Sequence, residues 1–256
     1  MRVRLPPALL STPIAHRGYF NPAAGIPENS LSAFAAAARA GYAIELDVQL
    51  TGDGQAMVFH DDSLDRLTAE SGSVLDYAAA ELGKIILTDG QDTIPTLPEV
   101  LAVVAGRVPI LIEIKDLWDT MGETSGQLEQ ATAAALSGYR GDVAVMAFNP
   151  WCMLAFYRLA PHLPRGLATE YFEPALCKPI PPATCDRLRD IPDYDVSQSS
   201  FISHRFTDLN YPRVAELKRQ GAAILCWTIH TPEEEALARK TADNITFEGY
   251  AARMTA

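Results

Sequence analysis

The chain has 256 residues, 48% of them hydrophobic and 21% charged, which excludes a disordered polypeptide and allows one large domain or two small ones. A barrel of roughly 250 residues is a common single-domain solution at this length. With 32 Asp and Glu against 21 Lys and Arg, the formal net charge of −11 argues against a general binder of nucleic acid or of an anionic membrane.

The apolar stretch near the N-terminus is short and broken by proline, unlike the core of a signal peptide. No uncharged apolar run approaches the ~18 residues a membrane span needs, so a cytoplasmic protein with no stable membrane anchor is expected. Cys152, Cys177, Cys185 and Cys226 lack zinc-site spacing and read as thiols.

Apolar, β-rich segments alternate with helical patterns along the chain. The first strand is expected at 13–16. A helix follows, with Leu31, Phe34, Ala35 and Ala38 on one face and Gly41 as its stop. The second strand is expected at 43–50, and a turn leads from it to a paired segment at 55–60. Residues of about 61–94 are polar, carry Gly72, Gly83 and Gly90, and read as an insertion. Thr96 and Glu99 then form a capping box ahead of a helical stripe. Further strands are expected at 109–115, 143–148, 166–169, 194–198, 222–229 and 244–247. Helical patterns separate most of them, the last opening with Thr231 as N-cap and Pro232 at its first position. This alternation predicts a parallel sheet covered by helices. Eight strand candidates favour a (β/α)8 TIM barrel, as a single domain with a small insertion after the second strand, over an open doubly wound sheet. No glycine-rich dinucleotide fingerprint follows the first strand.

In a parallel barrel the active site forms at the C-terminal strand ends, so polar residues there carry the functional signal. Glu45 and Asp47 stand two residues apart and share one face of their strand, with Ile44, Leu46 and Val48 on the other. Glu113 and Lys115 repeat the arrangement. Three carboxylates converging in the mouth repel one another, and a hard divalent cation, Mg2+ or Ca2+, relieves that repulsion. The alternative is a structural network with Arg and Lys. His16 and His60 lie at strand ends beside the acids and suit general acid and base chemistry; the alternative for each is a hydrogen-bonded core histidine. Arg17 offers a fork for phosphate or carboxylate, and Lys115 a point charge. Together these groups suit phosphoryl transfer.

His16-Arg17-Gly18, Pro27-Glu28-Asn29-Ser30, Glu45-Leu46-Asp47-Val48 and His60-Asp61 resemble motifs of the glycerophosphodiester phosphodiesterase family. IPTLPEVL, IEIK at 112–115, AFNP at 147–150 and CWTIH at 226–230 follow in the same order, so the resemblance spans nearly the whole chain. It implies a (β/α)8 barrel with a small insertion, and metal-dependent hydrolysis of a small-molecule glycerophosphodiester to sn-glycerol 3-phosphate and an alcohol. It also implies Glu45, Asp47 and Glu113 as metal ligands and His16 and His60 as the acid–base pair. Arg17 and Lys115 become phosphate contacts, Glu28 a site residue, and Trp227 the aromatic wall of the glycerol pocket. Asn29 is expected to shape the helix start. The family's nucleophile is the glycerol 2-hydroxyl, acting through a cyclic phosphate.

Two departures stand out. The final segment reads ITFEGY, with Glu248 in place of the family's Thr-Asp-x-Pro, and the proline-rich stretch 173–190 matches no family motif. That stretch is either a loop over the mouth or a plain surface connection. Leu117, Trp118 and Met121 could contact the apolar tail of a lysophospholipase D-type substrate, or could pack their loop. A catalytically silent barrel that binds phosphodiesters is the other rival.

Overall fold

The computed structural model describes residues 2–115 and 120–254. Leu117 and Trp118 therefore lie outside the described residues. The chain opens with α1 (Pro7–Ser11) and the short strand β1 (Ile14–Ala15). Next come α2 (Leu31–Ala40), β2 (Ala43–Leu50), β3 (Ala56–Val58), α3 (Ala79–Leu82) and α4 (Leu97–Val104). Strands and helices then alternate through β4 (Ile110–Ile114), α5 (Gln127–Leu136), β5 (Val143–Ala147), α6 (Pro150–Leu159), β6 (Arg165–Thr169) and α7 (Pro182–Arg189). The barrel finishes with β7 (Phe201–Arg205), α8 (Pro212–Arg219), β8 (Ala223–Ile229), α9 (Pro232–Ala238) and β9 (Asn244–Phe247).

Eight of these strands are parallel and form a closed ring, because β1 pairs with both β9 and β2. The fold is a TIM barrel. β3 stays outside the ring as an antiparallel partner of the far end of β2, with Val58 opposite Val48. Alternation along the strands sorts the side chains. Ile44, Leu46, Val48, Ile110, Ile112, Ile114, Val143 and Val145 join the core beneath the helices. Ala43, Leu111, Ala144, Met146, Ala168, Phe201 and Leu225 fill the interior, where Leu5 and Leu9 join them. Asn244, at the start of β9, donates from Nδ2 to the Leu9 carbonyl at 2.9 Å, which ties α1 to the N-terminal end of the barrel.

One strand differs from its expected place. Residues 194–198 are not extended; Pro192–Tyr194 is a 3₁₀ turn, and the barrel strand is β7. The physical reason is local competition for the backbone. Ser197 Oγ donates to the Asp193 carbonyl at 2.7 Å, and the Gln198 N–H donates to the Asp195 carbonyl at 3.1 Å.

Two segments outside the ring carry small cores of their own. Met57, Phe59, Leu64, Leu67, Val74, Leu82, Leu87 and Ile94 cluster beside β3. Met121, Phe172, Cys177, Ile180, Cys185 and Leu188 form another, packed on Phe148. Phe148 and Phe172 follow the C-terminal ends of β5 and β6, so the 173–190 stretch covers that side of the mouth. Met121 is buried in this cluster and packs its loop.

Candidate active site

The tip of β1 sets the geometry. His16 continues the strand, its N–H donating to the Phe247 carbonyl at 2.9 Å. The chain then turns sharply through Arg17 (φ 54°) and Gly18 (φ 81°). A Cβ on Gly18 would lie 2.9 Å from the Ala33 Cβ, so a side chain there is barred by space as well as by φ. The turn aims the Arg17 N–H at Glu45 Oε2, 3.0 Å away.

Glu45, Asp47 and Glu113 are buried and face inward, as their strand parity requires. β2 and β4 place Asp47 directly opposite Glu113. The three carboxylates bring oxygens within 4.8 Å of one another. Burial, reinforced by Asp47 and Glu113, pushes the Glu45 carboxyl well above its ordinary range. Asp47 moves the other way, to about 2: burial opposes its ionisation, but His60, Lys115 and Arg17 outweigh that cost. The donor set is all hard oxygen, and a Glu that resists ionisation beside two other acids is the electrostatic condition a divalent cation relieves. These residues fit such an ion.

Asn29 has a different place from the one expected. It is fully buried, and its Nδ2 donates to Asp47 Oδ2 at 2.9 Å. The helix start belongs to Ser30, whose Oγ accepts from the Ala33 N–H at 3.1 Å. Since Ser is also a strong N-cap, the residue type alone assigned the cap to neither position.

Both histidines are held by a carboxylate on Nδ1. His16 Nδ1 lies 2.5 Å from Glu248 Oε2, and its Nε2 lies 4.0 Å from Glu45 Oε2. His60 Nδ1 lies 2.6 Å from Asp61 Oδ1, and its Nε2 accepts from Lys115 Nζ at 3.1 Å. With Lys115 as a donor only, the His60 proton belongs on Nδ1. Lys115 Nζ also donates to Glu113 Oε1 at 3.0 Å and stands 3.7 Å from Asp47 Oδ1. Those acids hold its ammonium pKa above the ordinary value although burial works against the charge.

Glu28 accepts from Arg17 Nη1 at 2.6 Å. A second arginine, Arg66 from the 61–94 stretch, donates to Glu28 at 2.9 and 3.1 Å and to Asp61 at 2.6 and 3.0 Å. Burial works to raise the Glu28 and Asp61 carboxyls, but Arg66 and their other partners hold both below the usual range. Neither Arg66 nor Glu248 as a histidine partner was found by sequence reasoning. Glu248 gave a signal, as an acid next to the last strand; Arg66 sits in a polar loop with no periodicity to mark it.

Trp227 completes the set on the opposite side. It projects from β8, its indole N–H donates to the Ser203 carbonyl at 2.9 Å, and its ring meets Phe148 edge-on at 5.4 Å. The structure thus gathers His16, Arg17, Glu28, Glu45, Asp47, His60, Glu113 and Lys115 in one contact network, with Trp227 at the end of β8.

A closed parallel barrel whose ionisable side chains collect at the C-terminal mouth has the layout of a (β/α)8 enzyme. Residues 16–244 match the model of the glycerophosphoryl diester phosphodiesterase family. The chain belongs to that family, and its activity is that of a glycerophosphodiester phosphodiesterase. It is 29% identical over 249 residues to a glycerophosphodiester phosphodiesterase of Caldanaerobacter subterraneus subsp. tengcongensis, covering 91% of each chain. Among solved structures, a phosphodiesterase of Oleispira antarctica in complex with the product sn-glycerol-3-phosphate is similar, with a TM-score of 0.72, 25% identity and 91% of each chain covered. A glycerophosphodiester phosphodiesterase of Thermotoga maritima shares the fold, with a TM-score of 0.68 at 24% identity, over 92% of this chain and 94% of that one.

Proposed function

We propose that the chain hydrolyses small glycerophosphodiesters to sn-glycerol 3-phosphate and an alcohol, with a divalent cation, Mg2+ or Ca2+, held by Glu45, Asp47 and Glu113. The observation that carries this reading is the juxtaposition of three buried carboxylates with two imidazoles, each imidazole fixed by an acid of its own. The Oleispira structure with its glycerol phosphate product supports the choice of product. The cation supplies Lewis-acid charge to the phosphate oxygens when bound.

The residues of the chain do the rest. One of His16 and His60 takes the proton from the attacking glycerol 2-hydroxyl and the other returns a proton to the leaving alkoxide, which leaves a cyclic phosphate. Water then attacks its phosphorus, the bond to the 2-oxygen breaks, and sn-glycerol 3-phosphate is released. Arg17 and Lys115 offset the charge that builds on the phosphate, and Glu28 holds Arg17 in place. Trp227, backed by Phe148, presents an apolar wall to the glycerol carbons. The chain acts as one catalytic domain, in which the 61–94 stretch is an insertion that braces the mouth through Arg66. Because Met121 packs against the 173–190 stretch, it is not available to a lipid tail, which favours small substrates.

The test is a panel of glycerophosphodiesters with different alcohol groups, each assayed with Mg2+, Ca2+ or a chelator and scored for glycerol 3-phosphate. Release of that product in a chelator-sensitive reaction is the expected result. Turnover that survives chelation would mean the three carboxylates are structural.

A further inference from the structure

We infer that Glu248 is a positioning residue that fixes the ring of His16, making His16 half of a carboxylate–imidazole pair that mirrors Asp61 and His60. This inference rests on the reading of His16 as an acid–base group.

Glu248 is delivered by backbone rather than by a loose loop. It directly follows β9, and its N–H donates to the Ile229 carbonyl at 3.0 Å, which prolongs the β8–β9 ladder. Along β9, Asn244 and Thr246 share its parity, so Glu248 points into the mouth. There its Oε2 meets His16 Nδ1 at 2.5 Å, while its Oε1 lies 3.5 Å from Nδ1 of the more exposed His230.

The consequence is a choice of tautomer and of ring angle. A neutral imidazole carries its proton on either nitrogen, and the partner of one nitrogen decides which. A carboxylate can only accept, so Glu248 places the His16 proton on Nδ1. Nε2 is then the nitrogen left to take up a proton or, once protonated, to give one, and it is turned toward the Glu45 carboxylate. At the other wall Asp61 does the same for His60, whose Nε2 faces Lys115. The two imidazoles thus both present Nε2 to the acids between them, each backed by an acceptor. Asp61 adjoins its histidine in sequence, whereas Glu248 reaches His16 across 232 positions.

The test combines kinetics on glycerophosphocholine and glycerophosphoethanolamine with long-range ¹⁵N–¹H spectra of the His16 ring, using the intact protein with Mg2+. Glu248→Ala is expected to lower kcat roughly 10–100-fold with KM little changed, since an orienting partner acts on the reacting state. Glu248→Gln should recover much of the loss, because its amide oxygen still accepts from Nδ1–H. In the His16→Ala background, Glu248→Ala should cost nothing further. The spectra should show Nδ1–H in the wild type and in Glu248→Gln, and a mixture of tautomers in Glu248→Ala. Wild-type kcat in Glu248→Ala, alongside a large loss in His16→Ala, would overturn the positioning role and leave the reading of His16 standing. So would losses that add in the double variant. Near wild-type turnover in His16→Ala would instead remove that reading, and the role of Glu248 with it. Should Glu248→Ala fold poorly, the near-isosteric Glu248→Gln and the wild-type tautomer still decide the matter.

Discussion

At the scale of single residues, the most exacting environment outside the mouth belongs to His204. It is fully buried on the outer face of β7, and its Nδ1 meets Thr169 Oγ1 at 2.7 Å. Burial pushes the His204 pKa down to about 4, with Asp208 working weakly the other way. The unfolded chain, with an ordinary pKa near 6.5, therefore takes up the proton first. The His204 contribution is fully present above about pH 6.5 and is lost as pH falls toward about 4. Between about pH 7 and about pH 5 this amounts to roughly 2 kcal/mol of stability. Urea unfolding at those two pH values checks it: His204→Gln should lose less stability over the interval than the wild type. Equal losses would show that His204 does not titrate differently on folding. Within the mouth, His60→Ala should lower kcat by roughly 10²–10⁴, the usual contribution of a general acid or base. A variant within a few-fold of wild type would exclude that role.

Secondary-structure elements explain why part of this was legible in the sequence. The parity of Glu45 and Asp47 against Ile44, Leu46 and Val48 is a local property of one strand, so β2 and its inward acids could be read directly. Glu113 and Lys115 followed from the same rule, although Lys115 falls just beyond β4. β7 was misplaced because FISHR is short and mixes apolar and polar residues on both faces, while the polar stretch before it makes its own turn bonds. Arg66 was invisible because nothing periodic governs a loop; only the folded 61–94 stretch carries it to Glu28 and Asp61. That gives a prediction at this scale. The side chain of Arg66 is 47% exposed, so Arg66→Ala should leave the fold largely intact. It should nonetheless lower kcat roughly tenfold, by releasing Asp61 from behind His60 and Glu28 from behind Arg17. Kinetics paired with a thermal melt would show it; a large drop in melting temperature with unchanged kcat would refute the bracing role. The 173–190 stretch is different in kind, since its hold on the barrel is apolar. Ile180 is buried among Met121, Phe172 and Cys185, and Ile180→Ala should cost roughly 2–5 kcal/mol of unfolding free energy.

Over the whole molecule the net charge is −11, and the mouth shares that excess of acids. Three of the acids are buried together, with Lys115 and Arg17 as the cations against them. With Glu28 also drawing on Arg17, the acids are left in excess, which adds to the burial that keeps Glu45 from ionising. A divalent cation offsets that excess and so suits the mouth to a phosphodiester anion, even though the protein as a whole is acidic. The same balance predicts a linkage between cation and stability. An ion that binds the folded barrel and not the unfolded chain adds about 2.7 kcal/mol at a concentration 100 times its Kd. Melting temperature should therefore rise with Mg2+ or Ca2+ in the wild type. Glu45→Gln removes one of the excess acids, so it should melt no lower than the wild type in chelator. It should also lose most of the rise on adding metal, and with it the turnover. The opposite pattern, a variant weakened in chelator but still stabilised by metal, would place the cation elsewhere and leave Glu45 as a structural partner of the Arg17 N–H.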